Sequence, residues 1–216
     1  MNIKDFLNQP DIKAMIADND LQAVYLNLSK IERGDLSEYL LKRGIDPVDY
    51  FIGYIPEGAF FQCKDLGRVE IPDTVARIGE RAFSSCPNLT SIVIPASVTS
   101  IDDCAFYKSY DLASVTFAEG SKLTNIGRNA FYSCQSLESI TIPDKVTNID
   151  YYAFERCTNL TSVVIPESVT TIGYAAFYDC DSLTDVYYAG SKEQWKAITI
   201  EFCNNELIEA KIHFNS

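Results

Sequence analysis

The chain has one histidine, one tryptophan and two methionines in 216 residues. Any Ser-His or Cys-His mechanism must therefore use His213, which lies three residues from the end with no nucleophile motif around it. HExxH, CxxC, GxGxxG and GxxxxGK[ST] are absent, which removes the common signatures of zinc hydrolysis, dithiol redox chemistry and nucleotide binding. No stretch approaches the ~20 apolar residues of a membrane-spanning helix. The start, Met1 to Phe6, lacks the basic-then-apolar pattern of an export signal. Positive charge is scarce as well: 18 Lys and Arg against 30 Asp and Glu leave a formal charge of −12. Most of that acidity falls between residues 55 and 188, where it repels phosphate backbones and anionic lipid, so neither nucleic acid nor membrane insertion is expected.

What the chain does contain is one motif six times. Ala-Phe recurs at 59–60, 82–83, 105–106, 130–131, 153–154 and 176–177, at offsets of 23, 23, 25, 23 and 23 residues. A period in that range marks a solenoid of stacked units, none of which can bury its apolar side alone. The best-formed copy runs Leu89-x-x-Ile92-x-Ile94-Pro95-x-x-Val98-x-x-Ile101. Alternation in Ile92-x-Ile94 predicts a strand with both isoleucines inward, and the following proline ends the ladder. Strands are expected over Ser91 to Ile94, Ser139 to Ile142 and Ser162 to Ile165, then an extended stretch and one helical turn carrying Ala-Phe. The 25-residue copy carries a two-residue insertion within Ala118 to Thr124 and puts Ala118 where proline usually stands. Gly79, Gly127 and Gly173 alternate with Asp102 and Asp150 at one position, where a bend or positive φ would favour glycine.

The expected fold is an α/β repeat solenoid, right-handed, with one parallel β-sheet. Residues 1–54 form a helical N-terminal cap or docking segment, 55–188 the six repeats and 189–216 a helix-and-strand C-terminal cap. In the N-terminal segment, Asp20 caps a helix from Leu21 to Ile31, Asp35 caps one from Leu36 to Arg43, and Asp46-Pro47 opens another. Ser191-x-x-Gln194 is a capping box for a helix carrying Trp195, and Lys211 to Phe214 alternates as an edge strand.

Seven cysteines are an odd number. Cys63, Cys86, Cys134, Cys157 and Cys180 share one repeat position with Ser109, which reads as a small buried side chain and free thiols. Asp102-Asp103 and Asp179-x-Asp181 are acidic pairs, but no set of six oxygen ligands for Ca²⁺ is spelled out. No catalytic residue, metal or cofactor is therefore expected.

Two surfaces are candidates for recognition. The outward strand positions Ser91, Val93, Ser114, Thr116, Ser139, Thr141, Ser162 and Val164 make a floor of small, mostly hydroxyl-bearing side chains without acid or base. The alternative reading of this floor is residues chosen only for strand formation. Tyr107, Tyr132 and Tyr178 follow the repeat Phe, and Tyr151 and Tyr174 stand two places before Ala, forming a tyrosine edge. These rings either bind a partner or cover one another between repeats.

The pattern Leu-x-x-Ile-x-Ile-Pro-x-x-Val-x-x-Ile-Gly-x-x-Ala-Phe-x-x-Cys over residues 59–188, with the ending Tyr187-Tyr188-Ala189-Gly190-Ser191-x-x-Gln194-Trp195, resembles the BspA-like branch of the leucine-rich repeats. It departs from the general leucine-rich consensus by having Ser97 where Asn or Cys would stand. The resemblance implies a bacterial, non-enzymatic, adhesin-like module that binds a protein partner, and it transfers no ligand residue to this chain. A carbohydrate-binding module using the tyrosine edge is the alternative, and an enzyme dependent on His213 a distant one. The chain as given reads as cytoplasmic, whereas the resemblance implies a cell-surface or secreted protein.

Overall fold

Alternation of apolar residues along each repeat sends every second side chain into the core and leaves its neighbour outside. In the computed structural model of the protein, which describes residues 30–42 and 53–215 and the single positions 10, 47 and 51, this pattern produces two rows of short parallel strands. The elements begin with α1 (Lys30–Leu41), β1 (Gly53–Ile55), β2 (Arg68–Glu70), β3 (Val75–Ile78), β4 (Ser91–Ile94), β5 (Ser100–Ile101), β6 (Ser114–Phe117) and β7 (Asn125–Ile126). They continue with β8 (Ser139–Thr141), β9 (Asn148–Ile149), β10 (Ser162–Ile165), β11 (Thr171–Ile172), β12 (Asp185–Tyr188), α2 (Lys192–Ala197), β13 (Thr199–Ile200), α3 (Asn205–Glu209) and β14 (Lys211–Phe214).

The expected strands form, with β8 ending at Thr141 rather than Ile142. The extended stretch after the proline adds a second row, in which β1, β3, β5, β7, β9, β11 and β13 make one seven-stranded sheet. The first row divides into β2-β4-β6 and β8-β10-β12-β14, with no ladder joining β6 to β8.

The Ala-Phe segment is not a helical turn. Residues just before each Ala (Gly58, Arg81, Cys104, Asn129, Tyr152, Ala175) and two after each Phe (Gln62, Ser85, Lys108, Ser133, Arg156, Asp179) have φ between 52° and 61°. With these left-handed points, alternate amides of the segment aim at the next coil, while those between them close three-residue turns within their own coil, as Ala82 N–H does on Gly79 O and Ser84 N–H on Arg81 O. Thus Phe83 N–H donates to Ala105 O, Phe106 to Ala130 O and Phe131 to Ala153 O, each at 2.8 Å. Conversely, Gly79, Gly127 and Gly173 are absent from the positive-φ residues. Glycine is needed there for close approach: a Cβ on Gly127 would stand 2.8 Å from Asp102 C, and one on Gly79 would be 2.6 Å from Ile55 O.

Inside, Phe60, Phe83, Phe106, Phe131, Phe154 and Phe177 are fully buried and stack in file with centroids 5.0–5.3 Å apart. Beside them the cysteine column is a hydrogen-bonding column. Cys134 Sγ lies 3.3 Å from Phe106 O, Cys157 Sγ 3.2 Å from Phe131 O, and Ser109 Oγ 2.7 Å from Phe83 O. Cysteine and serine interchange because both place a small donor on the preceding Phe carbonyl. The seven cysteines form no disulfide.

At the N-terminal end, α1 runs through Gly34 and Asp35 instead of starting after Asp35. Its Ser37 hydroxyl donates to Ala59 O and its Arg33 guanidinium to Glu57 O, while Phe51 packs edge-on against Phe60. The helix placed at Leu21 to Ile31 lies largely outside the described residues, as does all but Pro47 of the one at Asp46-Pro47. At the other end the capping box forms: Gln194 N–H donates to Ser191 Oγ at 3.2 Å and Ser191 N–H to Gln194 Oε1 at 2.7 Å. Buried Asn204 terminates the Phe ladder, its Oδ1 accepting from Phe177 N–H at 3.0 Å where a further Ala carbonyl would otherwise stand.

Candidate functional site

The floor residues share one face because the strands pair in register. Ser91 lies beside Ser114 and Val93 beside Thr116, and Ser139 lies beside Ser162 and Thr141 beside Val164. Ser114, Thr116, Ser139 and Thr141 are exposed, while Ser91, Ser162 and Val164 are half-buried. Between the two groups the sheet opens into a cleft of about 630 Å³ lined by residues 113–121 and 139–145. The insertion borders the opening. Ala118 supplies an N–H that proline lacks, and it donates to Ile94 O at 2.9 Å, while Lys122 N–H donates to Ala96 O at 3.2 Å. The longer turn, with Gly120 at φ 72°, is thus tied back to the preceding coil. On the far side, Ile142 N–H donates forward to Val164 O.

The tyrosine edge comes together only in part. Tyr107 and Tyr132 stack at 4.8 Å, with Lys108 Nζ over Tyr107. Glu155 stands at the next position of that column, separating the pair from Tyr178, which is 43% exposed. The nearby Asp179 charge raises the Tyr178 phenol above its ordinary value. Tyr151 lies under Arg128. Tyr174 packs edge-on against Tyr152, and a hydrogen bond to Cys203 raises its phenol. A second cleft of about 470 Å³ on this side is lined by Tyr110, Tyr132, Gln135, Arg156, Asp179 and Asp181, among others.

Two further groups bear on chemistry. His213 stacks on Tyr187 at 4.5 Å, and its Nε2 lies 2.7 Å from Asp185 Oδ1, which lowers the Asp185 carboxyl below its ordinary value. Among the described residues no serine or cysteine side chain shares a hydrogen bond with this imidazole. Asp179 and Asp181 are joined by Glu206 from α3, their ligand atoms within 4.8 Å of one another. Glu206 Oε2 is buried without a partner. The sequence separates Glu206 from that pair by a whole cap, so only its 27-residue offset from Asp179, close to one repeat, signalled the meeting.

Burial raises the column thiols, Cys63 to about 12 and Cys157 and Cys180 well above the ordinary range. They stay protonated at neutral pH and offer no thiolate. No described helix is long and apolar enough to cross a membrane.

The chain is similar to known leucine-rich-repeat proteins. A leucine-rich cell surface protein from Faecalibacterium prausnitzii is 40% identical over 62% of this chain, with a TM-score of 0.58. This chain covers 35% of that protein's length. A leucine-rich-repeat protein from T. pallidum is 27% identical, with a TM-score of 0.59, over 75% of this chain and 78% of its own. No curated protein sequence matches. The BspA type leucine rich repeat region matches in six copies, over residues 50–123 and 77–207. With that match spanning well over half its length, the chain belongs to the BspA-type leucine-rich-repeat family.

Proposed function

We propose that the chain is a protein-binding scaffold, adhesin-like, whose recognition surface is the outward strand floor centred on Ser114, Thr116, Ser139 and Thr141. One observation carries this reading: all four hydroxyl side chains line the cleft at the break in the sheet. Their hydroxyls offer donors and acceptors for a partner's polar groups, which suits recognition. The tyrosine edge is the weaker candidate because Tyr107 and Tyr132 spend a ring face on each other. Residues 55–188 are the recognition unit, with 1–54 and 189–216 closing it. The described likeness to a cell surface protein supports placement at a bacterial surface.

The test is capture of a partner by variants. Ser139→Arg with Thr141→Arg abolishes capture, and Tyr107, Tyr132 and Tyr178 changed together to Ser leave it intact. The reverse result moves the site to the tyrosine edge. A second reading, carbohydrate binding at that edge, is favoured by the cleft combining Tyr110 with Gln135, Arg156 and Asp181. A glycan array checks it, with binding lost on Tyr110→Ala.

A further inference from the structure

We infer that the C-terminal end of the solenoid is the contact face of a symmetric dimer, in which a second copy of this chain pairs its β14 antiparallel with β14. This goes beyond the floor reading and uses a different surface. In a parallel ladder, alternate residues serve alternate neighbours. Lys211 N–H donates to Thr184 O and Asn215 N–H to Tyr188 O, so the N–H and C=O groups of Ile212 and Phe214 point away from β12. Among the described residues no strand lies beyond β14 in its sheet, or beyond β13 in the other. The core ends open as well. Ile200, Ile212 and Phe214 continue the inward columns of Ile172, Val186 and Tyr188, yet they are only half-buried because no further coil covers them. Phe202 and Ile208, in the same last coil, are exposed. An unpaired edge backed by apolar side chains is a template for strand addition.

Shape and charge select a second copy, and they select its orientation. At the opposite end of the solenoid, α1 stands where a preceding coil would, with Leu36 buried and the Ser37 hydroxyl donating to Ala59 O. Unlike ends therefore do not stack. Chain order puts α2 and α3 on opposite flanks of the last coil, since α2 leads from the sheet of β12 to that of β13 and α3 leads back. A two-fold axis through this end, normal to the β14 sheet, exchanges the flanks, so α2 of each copy faces α3 of the other. Their charges match: α2 presents Lys192 and Lys196 with Glu193, and α3 presents Glu206 and Glu209. Among the described residues none of these five is in an ion pair. Like flank on like flank would set lysine against lysine, so charge favours the antiparallel pairing. Ile212 opposite Phe214 of the second copy satisfies the outward groups of both strands and continues the sheet, with both floors on one side.

Sedimentation equilibrium of the whole chain over a range of concentrations tests this. The mass is expected to rise to twice that of one chain and no further, with amide exchange at Ile212 and Phe214 slowing as the dimer fills. Lys192→Glu with Lys196→Glu, and separately Asn205→Lys with Glu209→Lys, each weaken self-association by about tenfold or more, because α2 and α3 then carry like charge. Mixing the two variants restores a dimer, since every α2 again meets an α3 of opposite sign. Phe202→Ser with Ile208→Ser also weakens self-association by about tenfold or more. All these substitutions are at exposed positions, and an unchanged melt of the dilute variants confirms that each still folds. A mass that stays at one chain throughout overturns the inference, and so does growth past two. A dimer that leaves exchange at Ile212 and Phe214 unaltered, or two charge variants that fail to associate when mixed, overturns it equally.

Discussion

Each position in the repeat has its own physical demand. Phe131 is fully buried between Phe106 and Phe154, with centroids 5.0 and 5.2 Å away. Truncating it to Ala leaves a cavity that two neighbouring coils must share, so Phe131→Ala is expected to cost ~3–5 kcal/mol, read as a lower urea midpoint. Cys157 separates size from hydrogen bonding. Cys157→Ser keeps its donor on Phe131 O, whereas Cys157→Ala removes one of that carbonyl's two hydrogen bonds, the other coming from Cys134 N–H, and costs about 0.5–1.5 kcal/mol more. Ionisation adds a pH dependence with a definite sign. The Cys63 thiol is raised from 9.0 to about 12, and burial raises Cys86, Cys134, Cys157 and Cys180 as well. The unfolded thiol loses its proton first, so the stabilisation is complete below about 9 and declines as pH rises from there through 12. Replacing Cys157 with Ser, which does not ionise, should flatten the fall in urea midpoint between neutral and alkaline buffer. An equal fall in both proteins would contradict this.

At the scale of elements, the divided sheet is the distinctive feature. Deleting Gly120 and Ser121 restores the 23-residue spacing and releases the turn that ties β6 to the preceding coil. Hydrogen exchange at Ser139 and Thr141 is then expected to slow as β6 and β8 zip together. Unchanged exchange would show that the insertion does not cause the break. In the C-terminal cap, besides the β13 and β14 ladders, Asn204 joins Phe177 N–H to Gly173 O through its amide. Asn204→Ala should fray α3 and β14 before the repeats melt, seen as early loss of amide protection at Ile212 and Phe214.

Over the whole molecule, stability is the sum of stacked neighbours, so damage to a middle coil divides the solenoid while damage to an end only shortens it. The two ends differ. The N-terminal one is covered by α1, with Leu36 buried, whereas the C-terminal one exposes Phe202 at 85% and Ile208 at 56%. Leu36→Ala should therefore cost ~2–5 kcal/mol at the first coils, and Ile208→Ser almost nothing.

The sequence alone determined the repeat, its six anchors, the inward strand columns and the capping box at Ser191, because these depend on spacing and on chemistry within a few residues. It also marked the insertion within Ala118 to Thr124, which lines the later cleft. Tertiary structure decided the rest. The Ala-Phe segment reads locally like a helical turn, yet alternate amides, such as those of Phe83 and Phe106, find partners 22 or 24 residues away in the next coil, and that lateral pairing goes with left-handed residues such as Tyr152 and Ala175. Gly127 reads like a bend, but the backbone of Asp102 is what excludes a side chain there. Asn204, Glu206 and the break between β6 and β8 depend likewise on what one coil meets in the next. Contacts between coils are made across a whole repeat of chain, and no local pattern specifies which polar groups they will satisfy and which they will leave open.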